Sequence, residues 1–203
     1  MASTAEHSPL YRPLAPALAA RRTVAVLAGT LFIAACAHVA VPLPFTPVPM
    51  TLQPFAVVLL GLLLGPAVGA ATCAAYLLEG AVGLPVFTPQ GPGGIAQLLG
   101  LTGGYLLSYP AAAAVAGALS RLRGRRGFSR ALLGAAAANL LILCAGAGWL
   151  GMLTHHAPSL VYQTAVLPFL GEDALKVVLA ALVVTGWQRY RARFDQTHKP
   201  GPA

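Results

Sequence analysis

Two of the five acidic residues in this 203-residue chain stand side by side, Glu172 and Asp173, and a lysine follows at position 176. They lie in Gly171-Glu172-Asp173-Ala174-Leu175-Lys176, with a long apolar run behind. On a helix, residues three and four apart share a face, so Lys176 falls beside both acids. A carboxylate accepts hydrogen bonds and an ammonium donates them, so the pair offers both halves of the contact a small polar ligand needs. The same residues also fit a structural role, in which acids near a helix N-terminus are favoured by the dipole and Lys176 pairs with Glu172 one turn back.

Catalytic chemistry finds little support elsewhere. The chain has no HExxH and no GxSxG, and no serine or cysteine has a plausible catalytic base near it in sequence. Residues 171–176 resemble a P-loop only superficially, because Leu175 and Val177 stand where glycine and a hydroxyl residue are required. Cys36, Cys73 and Cys144 fall in apolar runs, odd in number and without CxxC or Cys/His spacing, so neither a disulfide framework nor a zinc site is expected. His155 and His156 are adjacent, which points their rings apart on any regular element; they read as solvated residues of a loop. No cofactor or metal is expected on the chain.

What positions the acid and the base is a membrane bundle. Hydrophobic residues make up 57% of the chain, charged residues only 9%, and the mean hydropathy is +0.73, far from the roughly one-quarter charged fraction of soluble domains. Apolar spans are expected at Thr23–Val41, at the two halves of Phe55–Val82, from Gly103 to before Arg121, at Ala131–Leu153 and at Glu172–Trp187. The first run is too long for most signal-peptide cores, and further spans follow it. Splitting Phe55–Val82 at Gly65-Pro66 follows from charge. Only then do Arg12, Arg21 and Arg22 share one side with Arg121, Arg123, Arg125, Arg126 and Arg130, and with Arg189, Arg191, Arg193 and Lys199. Six spans result, with both termini inside and Lys176 the one cation left over. The formal charge of +8 thereby reads as a topology signal rather than a nucleic-acid surface. The expected division is a cytoplasmic segment 1–22, a transmembrane domain 23–188 and a basic tail 189–203.

From Asp173 to Arg189 a helix climbs about 24 Å at ~1.5 Å per residue. If Arg189 marks the inner interface, Asp173 and Lys176 sit just beneath the outer one, where charges are expected to turn inward and find partners. Two uncharged loops face that side. Residues 42–54 carry Pro42, Pro44, Pro47, Pro49 and Pro54, which exclude a helix. Residues 83–101 are rich in glycine, which admits close backbone approach to a ligand. Glu79, near the outer end of the third span, is either a functional intramembrane acid or a residue reaching the interface. Ala25 and Gly29 form a small-xxx-small face on the first span, for another helix of this chain or of a partner.

Several strings together resemble the BioY family, the biotin-specific S components of energy-coupling-factor (ECF) transporters. They are Pro-Leu-Pro-Phe-Thr-Pro-Val-Pro-Met-Thr-Leu-Gln at 42–53, Leu-Leu-Gly-Pro at 63–66, Gly-Leu-Pro-Val-Phe at 83–87, Gly-Gly-Tyr at 103–105 and Asp-x-x-Lys at 173–176. The resemblance runs in order over residues 24–188. It implies an all-α, six-helix S component in the cytoplasmic membrane, which captures biotin from outside and works with a transmembrane coupling protein and two ATPases. Asp173 and Lys176 would hold the ureido ring, since a carboxylate accepts from its N–H groups and an ammonium donates to its carbonyl. Phe45, Phe87 and Tyr105 would be apolar walls, and Ala25 and Gly29 would dock the coupling protein. The chain departs from some members in the glycine-rich loop, where it offers Gln90 and Pro92, and after Gly-Gly-Tyr, where Leu106 follows. The backbone amides of Gly93 and Gly94 are therefore expected to meet the valerate carboxylate.

Three functions compete: a vitamin-binding transporter subunit, for biotin or a related vitamin or precursor; an intramembrane enzyme; and a structural bundle. The second lacks a nucleophile or metal constellation, and the third leaves Asp173 and Lys176 without a reason to persist in apolar surroundings. Beyond biotin, lipid and the ECF subunits, a homo-oligomer stays open and no nucleic-acid partner is expected.

Overall fold

The computed structural model describes residues 14–121 and 127–197, with side chains over 18–121 and 127–194. Arg12, Arg123, Arg125, Arg126 and Lys199 of the basic tally lie outside those residues. The helices are α1 (Leu14–His38), α2 (Gln53–Leu64), α3 (Pro66–Ala81), α4 (Gly94–Leu99), α5 (Gly103–Ser120), α6 (Gly127–Thr154), α7 (Pro158–Ala165) and α8 (Leu170–Thr197), with a 3-10 turn at Leu167–Phe169. Residues 18–38 of α1 and all of α6 are long and apolar enough to cross a membrane. At 12 and 16 residues, α2 and α3 are each shorter than the ~20 that a span ordinarily needs.

The break between α2 and α3 falls at Gly65-Pro66. Gly65 has φ +84°, a conformation that a side chain disfavours, and Pro66 opens α3 where no backbone donor is missed. The Arg121 guanidinium lies over this turn, in the space a Gly65 side chain would fill. The turn and the start of the basic segment after α5 are therefore at the same end of the bundle.

Two helices overrun their expected limits. α1 begins at Leu14 rather than Thr23, and α8 continues through Arg189, Arg191 and Arg193 to Thr197 rather than ending near Trp187. Pro16 falls in the first turn of α1, where a missing backbone donor costs little, and the lone Gly186 does not end α8; arginine stems extend along a helix while the guanidinium reaches water. On the overrun of α8, Trp187 and Tyr190 stack at 6.2 Å.

Both loops are more structured than their composition suggests. Two short antiparallel strands, β1 (Ala40–Val41) just before the proline-rich segment and β2 (Met50–Thr51) within it, pair in register Ala40–Thr51 and Val41–Met50. Helix α4 occupies six residues of the glycine-rich loop, and α7 with its 3-10 turn falls within residues 158–169, where a plain loop is expected.

Helix α5 is central, packed against α2, α3 and α6. Small residues make these contacts possible. A methyl group added at Gly117 would stand 2.5 Å from Pro66 N and 2.7 Å from the Gly61 carbonyl, and one at Gly134 would stand 2.7 Å from the Ala116 carbonyl. Around this seam, Ile33, Val57, Leu62, Tyr76, Ile142 and Val184 are buried. The outward faces are equally apolar: Val24, Leu27 and Leu31 on α1 and Leu175, Leu179 and Leu182 on α8 are all exposed. Dispersion packing of small residues, with hydrocarbon-like side chains facing out, is how helices associate in lipid.

Candidate functional site

Along α8 the buried positions are Asp173, Lys176, Ala180, Ala181, Val184 and Thr185, a repeat of three and four that forms one face. Asp173 and Lys176 head that face, with only 7% and 6% of their surface exposed. The ammonium is held three ways. Its Nζ lies 2.8 Å from Glu172 Oε2 and 3.7 Å from Asp173 Oδ1, and it donates to the Thr51 carbonyl oxygen at 2.6 Å. The Asp173 carboxylate also faces the Asn139 amide of α6. Lys176 thus satisfies both the helix-internal pairing with Glu172 and a contact with Asp173. It also ties α8 to strand β2 of the proline-rich segment.

These groups line a narrow inner cavity of about 50 Å³, whose apolar wall includes Tyr105, Leu106, Tyr109, Ile142 and Phe169. A wider outer cavity of about 360 Å³ lies between the proline-rich and glycine-rich loops. Pro49, Thr88, Gln97 and Thr102 belong to both walls, so the space tapers from the loops toward the acid–base pair. Apolar lining with a few convergent polar groups is the usual make-up of a small-molecule site.

Of the aromatic candidates, Tyr105 alone lines the cavity. Its ring occupies space left by Gly146, and its hydroxyl donates to the Ala165 carbonyl at 2.8 Å, which holds the end of α7 over the site. The preceding glycines have their own reason: a side chain at Gly103 would overlap the Leu98 carbonyl, and one at Gly104 would overlap Trp149. Phe87 is buried behind the wall, edge-on to Tyr76 at 5.4 Å and seated against Gly80. It anchors the glycine-rich loop to α3. Phe45 is 60% exposed and lines neither cavity. Glu79 is half-buried and lines neither cavity; His155 and His156 are exposed.

Gly93 and Gly94 also stand off the cavity walls. Both have positive φ, +71° and +59°, and the Gly93 amide donates to Gln97 Oε1 at 3.2 Å. That amide is already committed, because the α4 turn brings a side chain back to it.

Several polar residues of the site are not singled out in the sequence reading. Gln53, 3% exposed, donates through Nε2 to the Tyr76 hydroxyl at 2.6 Å, which in turn donates to the Val86 carbonyl at 3.0 Å. Thr51 Oγ1 donates to Gln53 Oε1 at 3.2 Å, so one chain of bonds joins both loops to α2 and α3. Thr51 and Gln53 close the proline-rich string at 42–53, but nothing in that string marks the bonds they make.

Gly29 turns into the bundle. A side chain there would meet Thr72 Cγ2 of α3 at 2.5 Å and Leu60 of α2 at 3.5 Å, while Ala25, one turn earlier, is half-exposed. The close approach that Gly29 permits is made within this chain. Gly29→Leu is therefore expected to reduce folded protein and biotin binding together, read as yield and labelled-ligand binding in detergent. Intact binding with lost uptake would restore the intermolecular role.

The comparisons with known proteins agree with this architecture. A structure described as the S-component for biotin from an ECF-type ABC transporter superposes with a TM-score of 0.77, covering 85% of this chain and 93% of that one at 24% identity, which establishes a shared fold. A probable biotin transporter BioY of Pyrococcus horikoshii is 36% identical over 137 residues, 68% of this chain and 78% of the relative. The biotin transporter BioY of Thermotoga maritima is also 36% identical, over 70% of this chain and 82% of its own length. The BioY family model matches residues 7–193. With the match spanning nearly the whole chain, the protein belongs to the BioY family.

Proposed function

We propose that this protein is the biotin-capturing S component of an ECF-type transporter in the cytoplasmic membrane. The observation that carries the reading is the Asp173–Lys176 pair, buried at the narrow end of a tapering cavity in a chain of the BioY family. In this reading the ureido N–H groups donate to Asp173 and the ureido carbonyl accepts from Lys176, so the polar atoms of the ureido ring are all paired. Tyr105, Leu106 and Ile142 supply apolar contact. The Lys176–Thr51 bond links ligand and cover: a ureido carbonyl competing for the ammonium loosens the proline-rich segment.

The topology proposed with it is six spans, α1, α2, α3, α5, α6 and α8, with both termini inside and the domain at 23–188. Arg121 over the Gly65-Pro66 turn supports it, because this places the short α2–α3 hairpin's turn on the arginine-rich side. The sequence has no nucleotide-binding motif, so ATP hydrolysis falls to partner ATPases, joined through a coupling protein. Equilibrium binding of labelled biotin to the purified chain tests the core of the proposal. Saturable binding at one ligand per chain, displaced weakly by dethiobiotin, is expected; its absence in folded protein overturns the reading.

A further inference from the structure

Gln97 sits on α4 at the neck where the inner and outer cavities meet, with only 1% of its surface exposed. Its side-chain orientation follows from chemistry. The Gly93 amide can only donate, so the atom facing it at 3.2 Å is Oε1, and Nε2 points the other way. Gly91 closes over the same amide group: a methyl there would stand 2.5 Å from Gln97 Cδ and 2.8 Å from Nε2. The side chain is clamped, yet its buried Nε2 has no hydrogen-bond partner among the described residues. A buried donor without an acceptor is penalised, and native structures leave few of them. One that borders a ligand cavity awaits an acceptor from the ligand.

The surroundings narrow the class of that acceptor. Among the described residues the outer cavity has no charged lining residue, and the inner one has Glu172, Asp173 and Lys176 alone. Lys176 already meets two carboxylates and a carbonyl. At the neck, Thr88 Oγ1 is turned toward Gln90 Oε1, and the Thr102 hydroxyl can rotate, whereas the Gln97 amide is clamped in one orientation. With the ligand's ring at the acid–base pair, its tail runs out toward this amide.

We propose that Gln97 Nε2 receives the acceptor at the ligand's tail and makes this chain tolerant of a neutral acceptor in place of a carboxylate. The inference rests on the biotin-capture reading. A neutral N–H donor bonds a carboxylate or an amide carbonyl alike, whereas an arginine would favour the anion strongly.

The test compares biotin, biotin amide and an analogue whose tail ends in a methyl group, on purified wild type, Gln97→Leu and Gln97→Glu. Wild type should hold biotin and its amide within about tenfold of each other and the methyl-ended analogue about tenfold more weakly, one hydrogen bond's worth. Gln97→Leu should lose the advantage of both acceptor tails and leave the methyl-ended analogue unchanged. Gln97→Glu should weaken biotin about thirtyfold or more, through carboxylate repulsion, while the amide changes less than about threefold. Equal losses on all three ligands, or none, would overturn the assignment to Gln97. Should neither variant fold, wild type still decides: a methyl-ended analogue bound as tightly as biotin means that no donor meets the tail. Wild type that binds no biotin at all fails the capture reading first, an outcome distinct from these.

Discussion

Lys176→Ala is expected to bind biotin on the order of a hundredfold more weakly than wild type while remaining folded in detergent. The size follows from what the ammonium does in this reading. A hydrogen bond to a charged group contributes about 1.5–3 kcal/mol, which alone is roughly 10–150-fold in affinity. Truncation also leaves Glu172 and Asp173 without the cation they share, and the Thr51 carbonyl without its donor at 2.6 Å. Part of the loss is therefore that of the positioned cover.

A purely structural lysine predicts something different. Were Lys176 kept only for its 2.8 Å pair with Glu172, Glu172→Gln would harm the protein as much as Lys176→Ala, and both would act on stability. In the capture reading Glu172→Gln weakens binding by less than about tenfold, since Asp173 and Thr51 still hold the ammonium. Equilibrium binding together with thermal unfolding separates these cases. Unchanged affinity in folded Lys176→Ala would sink the proposal.

The residues that make this argument possible were legible in sequence because charge is scarce. In an apolar chain, an acid and a base one turn apart stand out, and the helix period puts them on one face. Gly65-Pro66 was equally legible, since few pairs break a helix so firmly and the arginine balance demanded a turn there. The expected loops hid α4, α7 and the strand pair, because glycine and proline counts report what a segment avoids rather than what tertiary contacts impose on it.

Facing was the harder problem. With apolar side chains all round, α1 has no polar stripe to say which side meets the bundle, so the Ala25/Gly29 spacing served a partner interface and an internal contact equally well. Gly29 against Thr72 supplies the internal contact, and it does so through packing alone. The roles of Gln97 and Gln53 are illegible for a related reason: a lone glutamine, even at the end of the proline-rich string, signals burial or exposure equally. Only the fold shows that Gln53 reaches Tyr76 and that Gln97 has one amide atom paired and the other free.

The second large effect belongs to that same small-residue packing, and it falls on Gly61. A methyl group at this position on α2 would overlap the Ala113 carbonyl oxygen of α5 and stand 2.9 Å from its Cα. The obstacle is backbone, so it cannot swing aside as a flexible side chain would. Gly69 of α3 closes in from another side, its own added methyl falling 3.0 Å from Gly61 Cα. Any side chain must push α2 away from α5, which also disturbs Gly117 where it packs on the Gly65-Pro66 turn. Overpacking of this kind costs about 1–3 kcal/mol when side chains yield, and more when they cannot. Gly61→Leu should therefore lower the thermal midpoint by on the order of 10 °C, at ~2–4 °C per kcal/mol for a chain of this size, or prevent folding altogether. Gly148→Leu is the matched control. It also places leucine within a long helix, α6, but nothing lies within 4 Å of the added atom, and its midpoint should stay within a few degrees of wild type. Equal losses in the two variants would mean that helix propensity or lipid exposure governs stability here, and that the close approach of α2 to α5 does not.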